Sequence, residues 1–339
     1  SAPAGAGAMA AMVPLAPGGS GTFNGSVSFT YISTGKPYGL LYSESSGRFS
    51  GFTNAFAYSG PQNPTTFRGL SGLTYDSENQ RTGTGYAYDA NGNPTTYKTG
   101  QLTFDADNHL TLYKNAAGTP LMTAGYGADG LRWWKGNSQG TKTYFLYDGP
   151  NVVAELGAGG NPKAHNTYGA DGLIGRRVNT TDTFYTFDPL GNVSEMGSNV
   201  VAYDAYGQQR VGSNATPFGH GGRYGYYRDS ETGLECLGYR YYDPATGRFV
   251  TQDPIGFAGG VNQYGYVGAN PVGGADPWGT NPILIAAGGG ALIGAGFGAY
   301  DAWRSGGNVW IGAGKGAVVG GVAGLTAGMT AVGMGALLG

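Results

Sequence analysis

Charge is scarce in this chain. Only 12% of its 339 residues are Asp, Glu, Lys or Arg, about half the usual share, and they sum to a formal net charge of −2. No basic run occurs, so nothing pulls the chain toward a phosphate backbone, and nucleic acid is not an expected partner. Cysteine is scarcer still. A single residue, Cys236, rules out an intramolecular disulfide framework, and its place between Glu235 and Leu237 in a strand-like run marks a small buried hydrophobe. The three histidines, His109, His165 and His220, have no metal-ligand spacing and read as surface or turn residues. There is no Gly-x-Ser-x-Gly elbow, Cys/His pair, phosphate loop or zinc signature, so neither a metal nor a cofactor is expected. The opening SAPAGAGAMAAMVPLAPGG lacks the basic start and compact apolar core of an intact signal peptide. A processed start, a fragment and the remainder of a longer chain all stay open.

What is abundant is Gly (67 residues) and Tyr (25). Gly-rich chains are often disordered, but disorder goes with few aromatics and high net charge. Aromatics here are 13%, which favours an ordered, turn-rich β protein. Residues 22–75 read as short strands separated by Gly, Ser, Asn and Pro. From residue 86 an irregular repeat takes over: an aromatic, usually Asp, then a Gly/Asn turn. The copies are YDANGN (88–93), FDADNH (104–109), YGADGL (126–131), YDGPN (147–151), YGADGL (168–173), FDPLGN (187–192) and YDAYGQ (203–208). Their aromatics lie 16, 22, 21, 21, 19 and 16 residues apart, the length of one ordinary hairpin. The aromatic ends a strand, Asp bonds the turn's own backbone, and Gly or Asn supplies positive φ. A continuous antiparallel sheet advancing hairpin by hairpin is the expectation.

These units resemble the YD repeats of the RHS family, which includes teneurins and the C component of insecticidal toxin complexes. The resemblance tightens over 222–279, where ETGL, YRYYDPATGRF, QDPIG, GGVNQYGYVGANPV and DPWG follow one another as in the RHS-associated core. It covers about residues 20–280 and implies a β wall spiralling into a hollow cocoon closed by that core. Seven repeats are fewer than a complete shell uses, so the expected wall is partial, with open edges that want partners.

Two Asp-Pro-x-Gly turns stand in one frame, at Asp253 and Asp276. By itself the motif is a good type I turn. Two carboxylates brought together, however, share a proton and divide acid and base roles. The resemblance implies an intramolecular aspartic protease that cuts just after the second turn. Carried over, its residues are Asp253, Asp276 and Arg240, the arginine orienting a carboxylate. The implied cut falls at Gly279–Thr280 or Thr280–Asn281; the family commonly has Leu where this chain has Thr280. Asp243 and Arg248, in YYDPATGRF, are expected to hold a turn and a salt bridge.

After residue 280 the composition changes. Residues 283–300 and 316–339 carry no charge, and both are long enough to span a membrane. Small residues recur every fourth position, including Gly290, Gly294 and Gly298, then Gly316, Gly320 and Gly324. This spacing predicts a glycine-rich helical hairpin. Four regions result: an Ala/Gly/Pro arm (1–21), a repeat wall (22–221), the core (222–280) and a hydrophobic tail (281–339). Two functions fit. One is a secreted or cell-surface shell module that cuts itself and presents or sequesters the tail, with the membrane as a partner through 283–339. The other is a structural subunit that assembles with itself into a filament, tube or ring. Glycan adhesion through the tyrosines is a third, thinner reading.

Overall fold

The computed structural model describes residues 6–11, 27–32, 40–46, 51–280 and 283–284. One five-residue turn generates most of its architecture. In 89–93 the Asp89 N–H donates to the Asn93 carbonyl at 2.9 Å, and the Gly92 N–H donates to the Asp89 carbonyl at 3.1 Å. Asp89 Oδ1 accepts the N–H groups of Asn91 and Asn93, both at 2.9 Å. The fourth residue must sit at positive φ, where a Cβ is penalised. It is Gly92 (78°) here, and Asn108, Gly191 and Gly207 in the turns at 105–109, 188–192 and 204–208. Three copies depart from this form. The first YGADGL keeps the five-residue turn at 127–131 but starts it on Gly127, so no side chain caps it from that position. YDGPN and the second YGADGL close with two-residue loops, Asp148 pairing Asn151 and Gly169 pairing Gly172.

Thirteen strands, from Tyr86–Tyr88 to Asn199–Val200, form one sheet in strict chain order. Every neighbour pair is antiparallel. Because turns alternate rims in such a meander, the loops at 89–93, 105–109, 127–131, 149–150, 170–171 and 188–192 share one rim. The opposite rim uses Asn in the capping position, as in 115–119 and 137–141, where Asn115 and Asn137 accept two turn amides each. A second sheet of six strands runs from Ala6–Ala11 to Leu70–Ser71, also in chain order. The antiparallel sheet expectation is met for the first six copies; the seventh, at 203–208, instead closes a separate two-stranded hairpin of Ala202–Tyr203 and Gln209–Val211. The predicted helical hairpin, with Gly290 to Gly324, lies outside the described residues, as does most of the arm. One part of the tail is corrected: Ile283–Leu284 is a β-strand paired with Gly274–Ala275, because the DPWG turn reverses the chain and offers it a strand edge.

The segment 222–280 fills the inner side of both sheets. Its four short strands, Tyr227–Arg228, Glu235–Leu237, Arg240–Asp243 and Arg248–Phe249, make a separate sheet. One core joins Leu102, Met122, Phe145 and Leu173 of the wall to Tyr227, Leu234, Cys236 and Tyr241. Another joins Phe29, Leu41, Phe56 and Phe67 to Tyr226, Tyr242, Phe249 and Tyr266. Strand alternation sends Tyr241 into the first core and Tyr242 into the second. Cys236 is buried as expected.

Buried charges clamp the segment to the wall. Asp229, fully buried, accepts from Arg132 Nη1 at 2.5 Å, Lys135 Nζ at 3.0 Å and Tyr241 OH at 3.0 Å. Two readings need correction here. His220 does sit in a turn, over 219–222, but it is not at the surface; it is buried with Nδ1 2.9 Å from Glu235 Oε2 and packs against Tyr226, Tyr242 and Tyr266. Asp243 does cap its turn, through the Ala245 N–H at 2.9 Å, but its ion pair is with Lys98. Arg248 instead reaches Asn63 Oδ1 and the Asn79 carbonyl, its guanidinium lying over the Tyr75 and Tyr264 rings. Those amide and aromatic partners surround it where Asp243 is already taken.

Candidate active site

Both Asp-Pro-x-Gly turns fold alike. Asp253 receives the Ile255 N–H on Oδ1 at 3.0 Å, and its carbonyl receives the Gly256 N–H at 2.9 Å. In the second turn the Asp276 carbonyl receives the Gly279 N–H at 3.2 Å, and Oδ1 receives the Thr280 N–H at 3.0 Å. Gly256 and Gly279 close the turns at φ of 59° and 66°. Each turn therefore spends Oδ1 on local backbone and leaves Oδ2 facing inward.

The inward oxygens meet on one cation. Arg240 Nη2 lies 3.0 Å from Asp253 Oδ2 and 3.4 Å from Asp276 Oδ2. The same guanidinium donates from Nη1 to the Gln263 carbonyl at 2.9 Å and from Nε to the Gly279 carbonyl. Its Cζ sits 3.5 Å from the centroid of the Phe249 ring. All three ionisable residues are buried: Arg240 is 3% exposed, Asp253 7% and Asp276 2%. That degree of burial makes electrostatics strong and water scarce. Burial pushes the Asp253 carboxyl up to about 6, against the opposing pull of Arg240 and the Ile255 amide, with Asp276 adding to the rise. Burial also lowers the hold of Arg240 on its proton, while the two carboxylates act the other way.

The backbone past the second turn is laid against these groups. The Gly279–Thr280 peptide is held on both sides, its carbonyl by Arg240 and its N–H by Asp276. The next carbonyl, of Thr280, borders the same space as the Asp253 carboxyl, in front of Gly259. A Cβ placed on Gly259 would be 2.9 Å from Asp253 Cγ and 3.3 Å from the Thr280 oxygen. Around the turn, the Trp278 ring stacks on Tyr239 at 6.0 Å and 19°, and the Tyr239 N–H donates to the Trp278 carbonyl at 3.0 Å. Arg240, Asp253, Asp276, Gly279 and Thr280 are thus neighbours; Asn281 lies outside the described residues. Sequence reading missed Tyr226, whose hydroxyl accepts the Asp276 N–H at 2.6 Å, and the glycine at 259. Nothing local marks either one, since Tyr226 is one tyrosine among 25. Among the described residues no group of His, Cys, Asp and Glu has metal-binding geometry, and no helix is long and apolar enough to cross a membrane.

Comparison with known proteins bears on the fold. No protein-family model matches the chain. The tRNA3(Ser)-specific nuclease WapA of Bacillus spizizenii is 34% identical over 234 residues, covering 64% of this chain and 10% of the nuclease. The double-stranded DNA deaminase toxin A of Burkholderia cenocepacia is 56% identical over 55 residues, 16% of this chain and 4% of the toxin. The chain thus spans about a tenth or less of the length of these relatives. Among solved structures, the TcdB2–TccC3–Cdc42 crystal structure aligns over 75% of this chain and 13% of its own, with a TM-score of 0.53 and 18% identity. The Photorhabdus luminescens Tc holotoxin pore aligns with a TM-score of 0.51. These likenesses show the fold alone: an antiparallel, β-rich wall of the kind found in Tc toxin components.

Proposed function

We propose that the chain is the wall and core of an RHS-type bacterial shell protein, secreted or displayed at the cell surface, whose core hydrolyses its own backbone at Thr280–Asn281. The observation that carries this is the shared contact of Arg240 Nη2 with two buried carboxylates, beside the Thr280 carbonyl. In the reaction the protonated Asp253 carboxyl donates to the Thr280 oxygen while water adds to the carbonyl carbon, its proton passing to Asp276. The tetrahedral centre then collapses. The C–N bond breaks, the Asn281 nitrogen takes the proton, and the products are a Thr280 carboxyl and an Asn281 amine. Arg240 orients both acids throughout and, through Nε, anchors the preceding peptide.

The toxin-like part of the reading rests on the relatives, two of which are by name a nuclease and a deaminase toxin. Here the released or retained piece is the apolar tail, 281–339, acting at a membrane. The short ladder between Gly274–Ala275 and Ile283–Leu284 keeps the new end near the core after cutting. The test is mass spectrometry of the denatured protein. We expect masses for residues 1–280 and 281–339 from the parent chain, and a single intact mass from Asp253→Asn, Asp276→Asn and Arg240→Met. An intact parent chain refutes the reading.

One feature favours assembly as well. Ala6–Ala11 ends the six-stranded sheet, carries no charge and has no outer neighbour among the described residues. An edge of that kind is a template for a second copy. Sedimentation and electron microscopy of the purified chain test it: concentration-dependent oligomers support the structural-subunit reading, and a monomer at all concentrations rejects it.

A further inference from the structure

We propose that Gly259 is a positioning residue of the cutting site: its missing side chain keeps open the gap between the Asp253 carboxyl and the Thr280 carbonyl through which water reaches the scissile bond. This rests on the self-cutting reading above.

Three glycines in the loop after the first Asp-Pro turn have different reasons to be there. Gly256 and Gly260 have φ of 59° and 132°, and a Cβ on either would meet nothing within 4 Å. They are glycines for conformation. Gly259 ends the 3₁₀ turn Gly256–Gly259 and is not among the positive-φ residues, so its backbone suits any amino acid. What excludes a side chain is space. A Cβ would overlap Asp253 Oδ2 and stand 2.9 Å from Cγ and 3.3 Å from the Thr280 oxygen.

Neither neighbour is free to yield. The Asp253 carboxyl is fixed on one oxygen by the Ile255 N–H at 3.0 Å and on the other by Arg240 at 3.0 Å. The Thr280 oxygen belongs to a backbone whose own amide is tied to Asp276. A methyl at 259 therefore either displaces the carboxyl from Arg240 or fills the approach to the carbonyl. Both remove the geometry for attack, where a misplacement of about 1 Å is enough to slow a reaction ~100-fold.

The experiment follows cutting of the full 339-residue chain made in a cell-free translation system, sampled with time and chased at several pH values. Four chains are compared: parent, Gly259→Ala, Gly260→Ala and Asp276→Asn. We expect the parent to be cut and Gly259→Ala to be cut at least 10-fold more slowly, with a thermal midpoint matching the uncut Asp276→Asn chain. Gly260→Ala, strained but with the gap open, is expected to keep cutting despite a lower midpoint. Residual cutting by Gly259→Ala should persist to higher pH than in the parent, because an acid parted from Arg240 holds its proton longer. Parent-like cutting by Gly259→Ala overturns the inference and leaves the self-cutting reading standing. Equal loss in Gly259→Ala and Gly260→Ala, tracking equal destabilisation, also overturns it. A parent chain that stays whole overturns both.

Discussion

Replacing Asp229 by Ala tests whether buried charge clamps the core to the wall. Asp229 and Arg132 both have fully buried side chains, and Lys135 is 10% exposed. Removing one partner of a buried ion pair typically costs about 3–5 kcal/mol, because the other charge stays buried alone. Lys135 has an escape, since it also pairs with Glu231 at 2.9 Å on a partly exposed side chain. Arg132 keeps only the neutral Tyr241 hydroxyl, which accepts from Nη1; its Nε and Nη2 already lack hydrogen-bond partners, and the Phe145, Tyr227 and Tyr241 rings lie around it. The loss therefore falls on one stranded cation, giving about 3 kcal/mol, or about 5–10 °C in the thermal midpoint. Arg132→Met should be milder, about 1–2 kcal/mol, because Asp229 keeps Lys135 and the Tyr241 hydroxyl. The cations and their hydrogen bonds outweigh burial and hold the Asp229 carboxyl below its ordinary value. Its contribution is therefore present above the ordinary carboxylate range and lost as pH falls through the depressed value. Urea denaturation of parent and variants, followed by tryptophan fluorescence between about pH 3 and 8, measures both effects. Equal losses below about 1 kcal/mol in the two variants, or an unchanged acid limb in Asp229→Ala, would refute the clamp.

Two further outcomes follow from the turns and the site. Gly118→Ala and Gly207→Ala both place a Cβ at positive φ (79° and 87°), but only Gly207 faces an obstacle, the His220 ring, with Cδ2 at 2.9 Å. Calorimetry should show about 1 kcal/mol lost at 118 and more than 2 kcal/mol at 207, where overpacking adds to strain. The Asp253 carboxyl, raised to about 6, stabilises the fold fully below its unfolded value near 4. That contribution fades as pH rises through 6. Asp253→Asn should remove this decline, seen as a flatter denaturation midpoint between about pH 4 and 7.

How much of this was legible in the chain depends on how local the cause is. The Asp89 and Asp188 turns could be read from residues four apart, because the capping carboxylate, the turn amides and the positive-φ glycine are contiguous. The strict meander followed, since a hairpin every twenty residues leaves little choice of neighbour. His220 and Arg248 could not be placed, because their partners lie on other elements: Glu235, 15 residues on, for one, and Asn63 and Asn79, 185 and 169 residues back, for the other. The same holds within the site. Asp253 and Asp276 announced themselves through a repeated motif, whereas Gly259 is set apart from the glycines around it by its backbone angle and by what faces it across the fold, neither of which the sequence marks.

That contrast bears on how the acids are assembled. Asp253 and Asp276 lie 23 residues apart, and local turns aim each Oδ2 inward without bringing the two together. Arg240 does so, and its place is set by the residues that follow it. The Tyr241 hydroxyl bonds to Asp229 and Arg132 and meets Met122 Sδ at 3.5 Å, while the Tyr242 hydroxyl donates to the Tyr206 carbonyl at 2.9 Å. Alternate side chains of one four-residue strand are thus pinned to wall residues on either side, with Arg240 at its head. Phe249, beneath the guanidinium, belongs to the core that includes Phe56 and Phe67. The isolated segment 222–280 contains every acid and base of the site and the direct partners of Arg240, but it lacks the wall residues that pin Tyr241 and Tyr242. Convergence of the two carboxyls is therefore supported from the wall through the strand that carries Arg240, and the proposed cut would need the segment docked on that wall.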